Sequence, residues 1–310
     1  MFSFFKKNPI DKKIPREYIH LLTQQQYNDM LDIVMSYFKD KGEEVVKLED
    51  GYITVKDEND KELKYGFDNL VRFVAGSEKK EWESVIYSHF NKVNFDDSPL
   101  VYYRKDYEAA KPFLKMLVKD QLLLKQEFGK ELVWVSHFPG TCSLLVFDYD
   151  NQFRYLKQED IAEWNQPKEV LFEQALSNVG EEEITVNKVE HEDGIEMFIF
   201  FSGDFSASFV ADFDRNLSSI NGEYGSLVAI PTKGTAFVSP LSDKNVLKRI
   251  ELVSEPVIKF FNEDPGNITT NLYWFYEGKF EQFPETPAKD GYVSISIPEG
   301  LVSLLNKEEE

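Results

Sequence analysis

Residues 224–241 read YGSLVAIPTKGTAFVSPL, two apolar runs on either side of Pro231-Thr232-Lys233-Gly234. Those four residues admit three readings: a phosphate cradle, the Lys-Thr-Gly strand of penicillin-type enzymes, or a turn between two strands. A phosphate loop needs glycine amides facing the ligand, then a helix that opens with Lys and a hydroxyl residue. Here Gly234 follows Lys233 and leads into the strand-like Ala236-Phe237-Val238, so both the order and the following element are wrong. The penicillin-type set finds partial echoes in Ser77-Glu78-Lys79-Lys80 and Tyr149-Asp150-Asn151. Its third member is scrambled, because Thr232 precedes Lys233 inside a turn, and Ser77 has a sufficient role as a helix N-cap. The stretch reads as a β-hairpin.

Working towards the N-terminus, Ile184 to Glu190, Ile195 to Phe201 and Ser206 to Ala211 read as strands. The apolar run 195–210, broken by Ser202-Gly203-Asp204, reads as a hairpin and not as a membrane span. Further strands are expected over Phe113 to Val118, Leu132 to His137, Ser143 to Tyr149 and Phe153 to Leu156, with helices over Gln158 to Trp164 and Pro167 to Asn178. Pro167 suits a first helical position. Towards the C-terminus an amphipathic helix from Asp243 carries Val246, Ile250, Val253, Val257 and Phe260 on one face, and Pro256 should kink or restart it. Strands at Leu272 to Tyr276, Lys279 to Phe283 and Tyr292 to Ile297 close the pattern.

A different unit precedes these. Thr23 is an N-cap for a helix with Tyr27, Met30, Leu31, Val34 and Phe38 on one face, ended by Gly42. Two strands around Asp50-Gly51 and a third after Glu58-Asn59-Asp60 make a meander. Two helices follow, the second opened by Ser77 and carrying Trp82, Ile86, His89 and Phe90 on its apolar face, with a core histidine expected at His89. The expected organisation is a tail over 1–20, a helix/meander/helix unit over 21–98 closed by a linker at Asn94 to Pro99, a larger domain over 99–306 and an acidic tail over 307–310. Strand clusters joined by tight turns and separated by helices give an α+β class, with largely antiparallel sheets flanked by helices in two α+β units.

Composition narrows the function classes. A chain of 310 residues with 42% hydrophobic and 15% aromatic residues can bury a substantial core. Its formal charge of −20 repels nucleic acid, which is held chiefly by Lys and Arg. The one cysteine, Cys142, excludes an internal disulfide and a Cys-rich zinc site, and its TCSLLVF setting reads as a buried strand. The opening MFSFFKK is too short for a secretory or membrane segment, so a cytoplasmic protein is expected. The four histidines show no metal-binding spacing, and His137 near Cys142 lacks a visible third group for nucleophilic chemistry. No cofactor motif is present.

Two Asp-x-Asp pairs follow apolar strands: Asp148 with Asp150, and Asp212 with Asp214. Such pairs can hold a divalent cation given further oxygen ligands, and they are also ordinary turn chemistry. Acidic residues concentrate over Glu43 to Glu62 and Glu181 to Asp193, which reads either as a solvated face of the hairpins there or, more sharply, as a surface where a basic partner docks.

The order of FLKMLV, VFDYDNQFRYL, EDIAEWNQPKEVLFEQALSNV, GSLVAIPTKGTAFVSPL and NITTNLYWFYEGKF resembles the uncharacterised bacterial YtpQ-like family over roughly residues 107–280. Trp164, Leu171, Phe172, Ala175, Asn178 and Val228 to Pro231 carry the resemblance. It implies a cytosolic α+β protein of unknown activity and supplies no functional residues. The leading expectation is therefore a non-enzymatic, immunity- or antitoxin-like interaction module with an acidic surface for a basic protein partner. The alternative is a metal-assisted hydrolase built on Asp148, Asp150, Asp212 and Asp214.

Overall fold

The computed structural model describes residues 12–15, 18–19, 21–49, 51–57, 60, 62–91, 102–125, 128–149, 152–264, 266–287 and 293–307. Asp50, Glu58, Asn59, Asp150, Tyr292 and the Asn94 to Pro99 segment lie outside them. Backbone contacts divide the chain into two compact units, Met1–Phe95 and Asp96–Glu310. The fold is α+β, and every strand pairing among the described residues is antiparallel.

In the first unit, α1 (Gln24–Asp40) starts at a capping box. Thr23 Oγ accepts from the Gln26 amide, and Gln26 Oε1 accepts from the Thr23 amide. Its apolar face, Tyr27, Met30, Leu31, Val34 and Phe38, is buried against the sheet β1 (Glu44–Glu49), β2 (Tyr52–Lys56), β3 (Glu62–Gly66) and the helices α2 (Asp68–Ala75) and α3 (Trp82–Asn91). Three details depart from the sequence reading. Tyr18, placed in the tail, is 4% exposed and belongs to this core. Ser77 does not cap α3; its hydroxyl donates back to the Phe73 carbonyl, 2.7 Å away, at the end of α2. His89 is half-buried and set edge-on to Phe90, at the margin of the apolar face.

The second unit opens with α4 (Tyr107–Ala110) and a four-stranded sheet. Its central strand β6 (Thr141–Tyr149) pairs with β4 (Leu114–Asp120) on one side. On the other side, β5 (Trp134–Val135) and β7 (Gln152–Tyr155) share the edge end to end. The expected strand over 132–137 shrinks to the two residues of β5. The short α5 (Gln158–Ile161) and then α6 (Lys168–Gly180) follow, with Pro167 one residue earlier than expected, at the N-cap.

The remaining elements build a six-stranded sheet. In chain order they are β8 (Thr185–Glu190), β9 (Glu196–Phe201), α7 (Ser206–Ala211), α8 (Phe213–Asn216), β10 (Ser226–Thr232), β11 (Thr235–Pro240), α9 (Val246–Glu263), β12 (Leu272–Tyr276) and β13 (Lys279–Gln282). A small pair, β14 (Glu285–Pro287) and β15 (Val293–Ile295), and α10 (Glu299–Asn306) end the unit. The sheet order is β13-β12-β10-β11-β9-β8.

Alternation along the central strands feeds two cores. Val228, Ile230, Ala236, Val238, Tyr273 and Phe275 face α6, α7 and strands β4 and β6. Leu227, Ala229, Phe237, Leu272 and Trp274 face α9 and α10. A strand covered on both sides reads as a continuous apolar run, here 227–231, and with Ser226 and Thr232 at its ends the whole strand is buried.

Ser206 to Ala211 is a helix, not a strand. Ser202 Oγ accepts from the Phe205 amide at 2.8 Å, turning the chain out of β9. The Ala207 amide, which helix geometry leaves without a partner, donates to the Lys233 carbonyl at 3.3 Å. Pro256 likewise does not end α9, which runs through it from Val246 to Glu263. That helix begins three residues after Asp243, whose carboxylate accepts from the Asn245 amide at 2.7 Å and holds the buried Arg249.

Candidate protein-interaction surface

The turn at Lys233-Gly234 closes β10 onto β11, with Thr232 opposite Thr235. Its groups are engaged within the chain. The Lys233 amide donates to the Gly266 carbonyl at 2.9 Å, and the Gly234 carbonyl accepts from the Ser202 amide at 3.0 Å. The Lys233 ammonium pairs with Asp204 and lies 6.0 Å from the Phe153 ring centre. The turn therefore ties three loops together, and the Lys233 amide that would face a phosphate is already bonded.

The aspartates of the two pairs occupy different surroundings. Asp148 ends β6 with Oδ2 3.2 Å from Lys115 Nζ, and that ammonium also pairs with Glu182 and caps the Phe205 ring at 4.9 Å. Asp150 lies outside the described residues. Asp212 leads into α8 with Oδ2 3.2 Å from Arg215 Nη1, close enough for charge pairing but not aligned as a hydrogen bond. Burial pushes its carboxyl above the usual range, with Arg215 opposing. Asp214 is exposed. Among the described residues, no three His, Cys, Asp or Glu side chains come together as ligands for a metal.

His137 Nδ1 lies 2.8 Å from the hydroxyl of Ser143, which is fully buried, and burial lowers the imidazole's affinity for a proton. Cys142 is sealed in β6 with its thiol 3.6 Å from the Asp120 carbonyl, and burial pushes it up to about 11. A thiol held protonated and out of solvent is no nucleophile.

A groove of about 790 Å³ runs beside α6, lined by Tyr107, Lys111, Glu169, Val170, Glu173 and Arg215 among others. Its charges are largely answered locally: Arg215 pairs with Glu173, and Lys111 lies 3.9 Å from Glu108.

The second acidic stretch is different. Between Glu181 and Asp193 the sequence holds six carboxylates and one lysine. Five of the carboxylates, Glu181, Glu183, Glu190, Glu192 and Asp193, are exposed, while Glu182 pairs with Lys115. The lysine, Lys188, pairs with Glu196 and lies 5.8 Å from the Phe198 ring centre. The segment folds as β8 and its flanks, and all six residues of β8 are exposed, with Val186 at 48% and Val189 at 36%. The charge clustering is legible in the sequence; the exposure of both strand faces is not. One signal exists: Val186 and Val189 are three apart, so they fall on opposite faces and neither face of the strand is apolar. The first acidic stretch, by contrast, interleaves Lys47, Lys56 and Lys61 with its carboxylates.

Comparison of the chain with protein-family models, with curated proteins and with solved structures returns no match, so the YtpQ-like resemblance rests on the segments quoted above.

Proposed function

We propose that the protein is a non-enzymatic interaction module that receives a basic protein partner on its acidic surface, in the manner of an immunity protein or antitoxin. The observation that carries this reading is the acidic hairpin: five exposed carboxylates around an edge strand whose only lysine is paired with Glu196. Opposite charge across such a surface speeds encounter and excludes acidic partners, and it loses strength as salt shortens the Debye length. The bonded Lys233 amide and the cations already beside Asp148 and Asp212 favour binding over hydrolysis.

The test uses two baits in a lysate of the source cell, the wild type and the triple variant Glu190→Gln, Glu192→Gln, Asp193→Asn. The wild type should retain a stoichiometric basic partner at about 50 mM salt and lose it at about 500 mM, and the variant should lose it at both. Equal recovery on the two baits, or no basic partner at all, ends this reading.

A further inference from the structure

Among the described residues, strand β8 has a neighbour on one side only. Which main-chain groups it leaves open follows from the phase of the ladder. The His191 amide donates to the Ile195 carbonyl at 3.0 Å, continuing the register that sets Glu190 opposite Glu196. Hydrogen-bonded and non-bonded pairs alternate in an antiparallel ladder. Residues 185, 187 and 189 therefore bond to β9, and Val186, Lys188 and Glu190 turn their N–H and C=O groups outward. None of these three makes a main-chain bond outside the β8–β9 pair among the described residues. Edge strands of this length are normally covered, bulged or heavily guarded with lysine. Here the register is unbroken and Lys188 is the one guard.

We infer that the outer edge of β8 is a strand acceptor, on which an extended basic segment of the partner docks by main-chain pairing with Val186, Lys188 and Glu190. This rests on the reading above and gives it a binding mode: ladder bonds supply affinity, and alternate side chains supply selectivity. The segment's fit is stated by its neighbours. A cation belongs opposite Glu190 and near Glu192 and Asp193, and an apolar residue opposite Val186. A second copy of the chain is a poor occupant, since antiparallel pairing of two such edges sets acidic flanks beside one another.

Proline separates backbone pairing from charge. At position 186 the lost N–H points outward, so Val186→Pro leaves the β9 ladder and the net charge unchanged while blocking an added strand. Three comparisons with the unmodified pair belong together, all by fluorescence anisotropy at low salt. The probe is a nine-residue extended peptide that carries Lys and Val four residues apart, to meet Glu190 and Val186, and it is offered to the wild type, to Val186→Pro and to the triple variant that neutralises three carboxylates. A second peptide of the same charge carries N-methyl groups on alternate amides. We expect at least tenfold weaker binding for Val186→Pro and for the N-methylated peptide, with the thermal midpoint of Val186→Pro near that of the wild type. Amide exchange at 186, 188 and 190 should slow on adding the first peptide. Binding indifferent to proline and to N-methylation but lost in the triple variant overturns strand addition and leaves charge-driven docking standing. Binding indifferent to all three changes sinks both, and no binding of the first peptide to the wild type sinks strand addition. If Val186→Pro proves unfolded, the N-methylated peptide on the wild-type protein decides alone.

Discussion

Strands β10 and β8 lie in the same six-stranded sheet, with β11 and β9 between them, and are built on opposite terms. Every residue of β10 is buried, and its side chains feed two cores at once. Every residue of β8 is exposed, and it is held by one ladder to β9. The centre is thus fixed by packing, which tolerates little change, and the edge by hydrogen bonds, which tolerate almost any side chain. A sequence free to vary in that way can carry a surface property, and on β8 that property is negative charge.

The contrast can be broken most forcefully at the centre. Phe237→Ala, in the β11 strand beside β10, removes a ring buried among Phe260 and the α9 face, and should cost about 3–5 kcal/mol in a denaturant titration. A loss below about 1 kcal/mol would show that the layer collapses around the cavity. Gly225→Ala should cost about 2–4 kcal/mol by the same measurement, because φ is +85° and an added Cβ would sit 2.1 Å from the Phe275 carbonyl oxygen.

A third test lies at the start of α9. Arg249 is 4% exposed and takes two hydrogen bonds to Asp243, at 2.5 and 3.1 Å. Asp243→Asn should cost about 1–3 kcal/mol, reduced from the fully buried case because the carboxylate is partly in solvent. Arg249 holds the Asp243 carboxyl below its usual range. Its contribution is therefore complete above the unfolded carboxylate pKa and lost as pH falls through the folded one. An acid titration of thermal midpoints should show wild type and variant converging there, and parallel curves would refute the assignment. Smallest of all, Val189→Thr on β8 should move stability by no more than about 0.5 kcal/mol. A larger loss would mean that this face of the edge is covered.

The same contrast sets how much the sequence could show. The β10–β11 hairpin is legible because two continuous apolar runs flank a turn, and burial on both faces is written directly into them. The capping box at Thr23 and the turn at Glu277-Gly278, both residues with positive φ, are local chemistry and equally legible. The α7 helix is not, since Phe205-Ser206-Ala207-Ser208-Phe209-Val210 suits either period. The bond that receives its first turn comes from Lys233, more than twenty residues downstream. The Asp pairs look equivalent as sequence and differ in the fold through their cations, the sequence-distant Lys115 for Asp148 and the local Arg215, three residues on, for Asp212. At β8 the charge was legible, but the outward phase of Val186, Lys188 and Glu190 depends on the His191 to Ile195 bond.

The sealed thiol of Cys142 makes the second unit its own stopwatch. It is the chain's single cysteine and is 0% exposed, so a disulfide reagent can reach it only when β6 opens. With reagent in excess, the labelling rate reads the opening of that strand from the native state, with no engineered probe. The first unit has no thiol, so its openings are silent in this assay. A labelling rate unchanged by destabilising substitutions in the first unit would establish that the two units open independently.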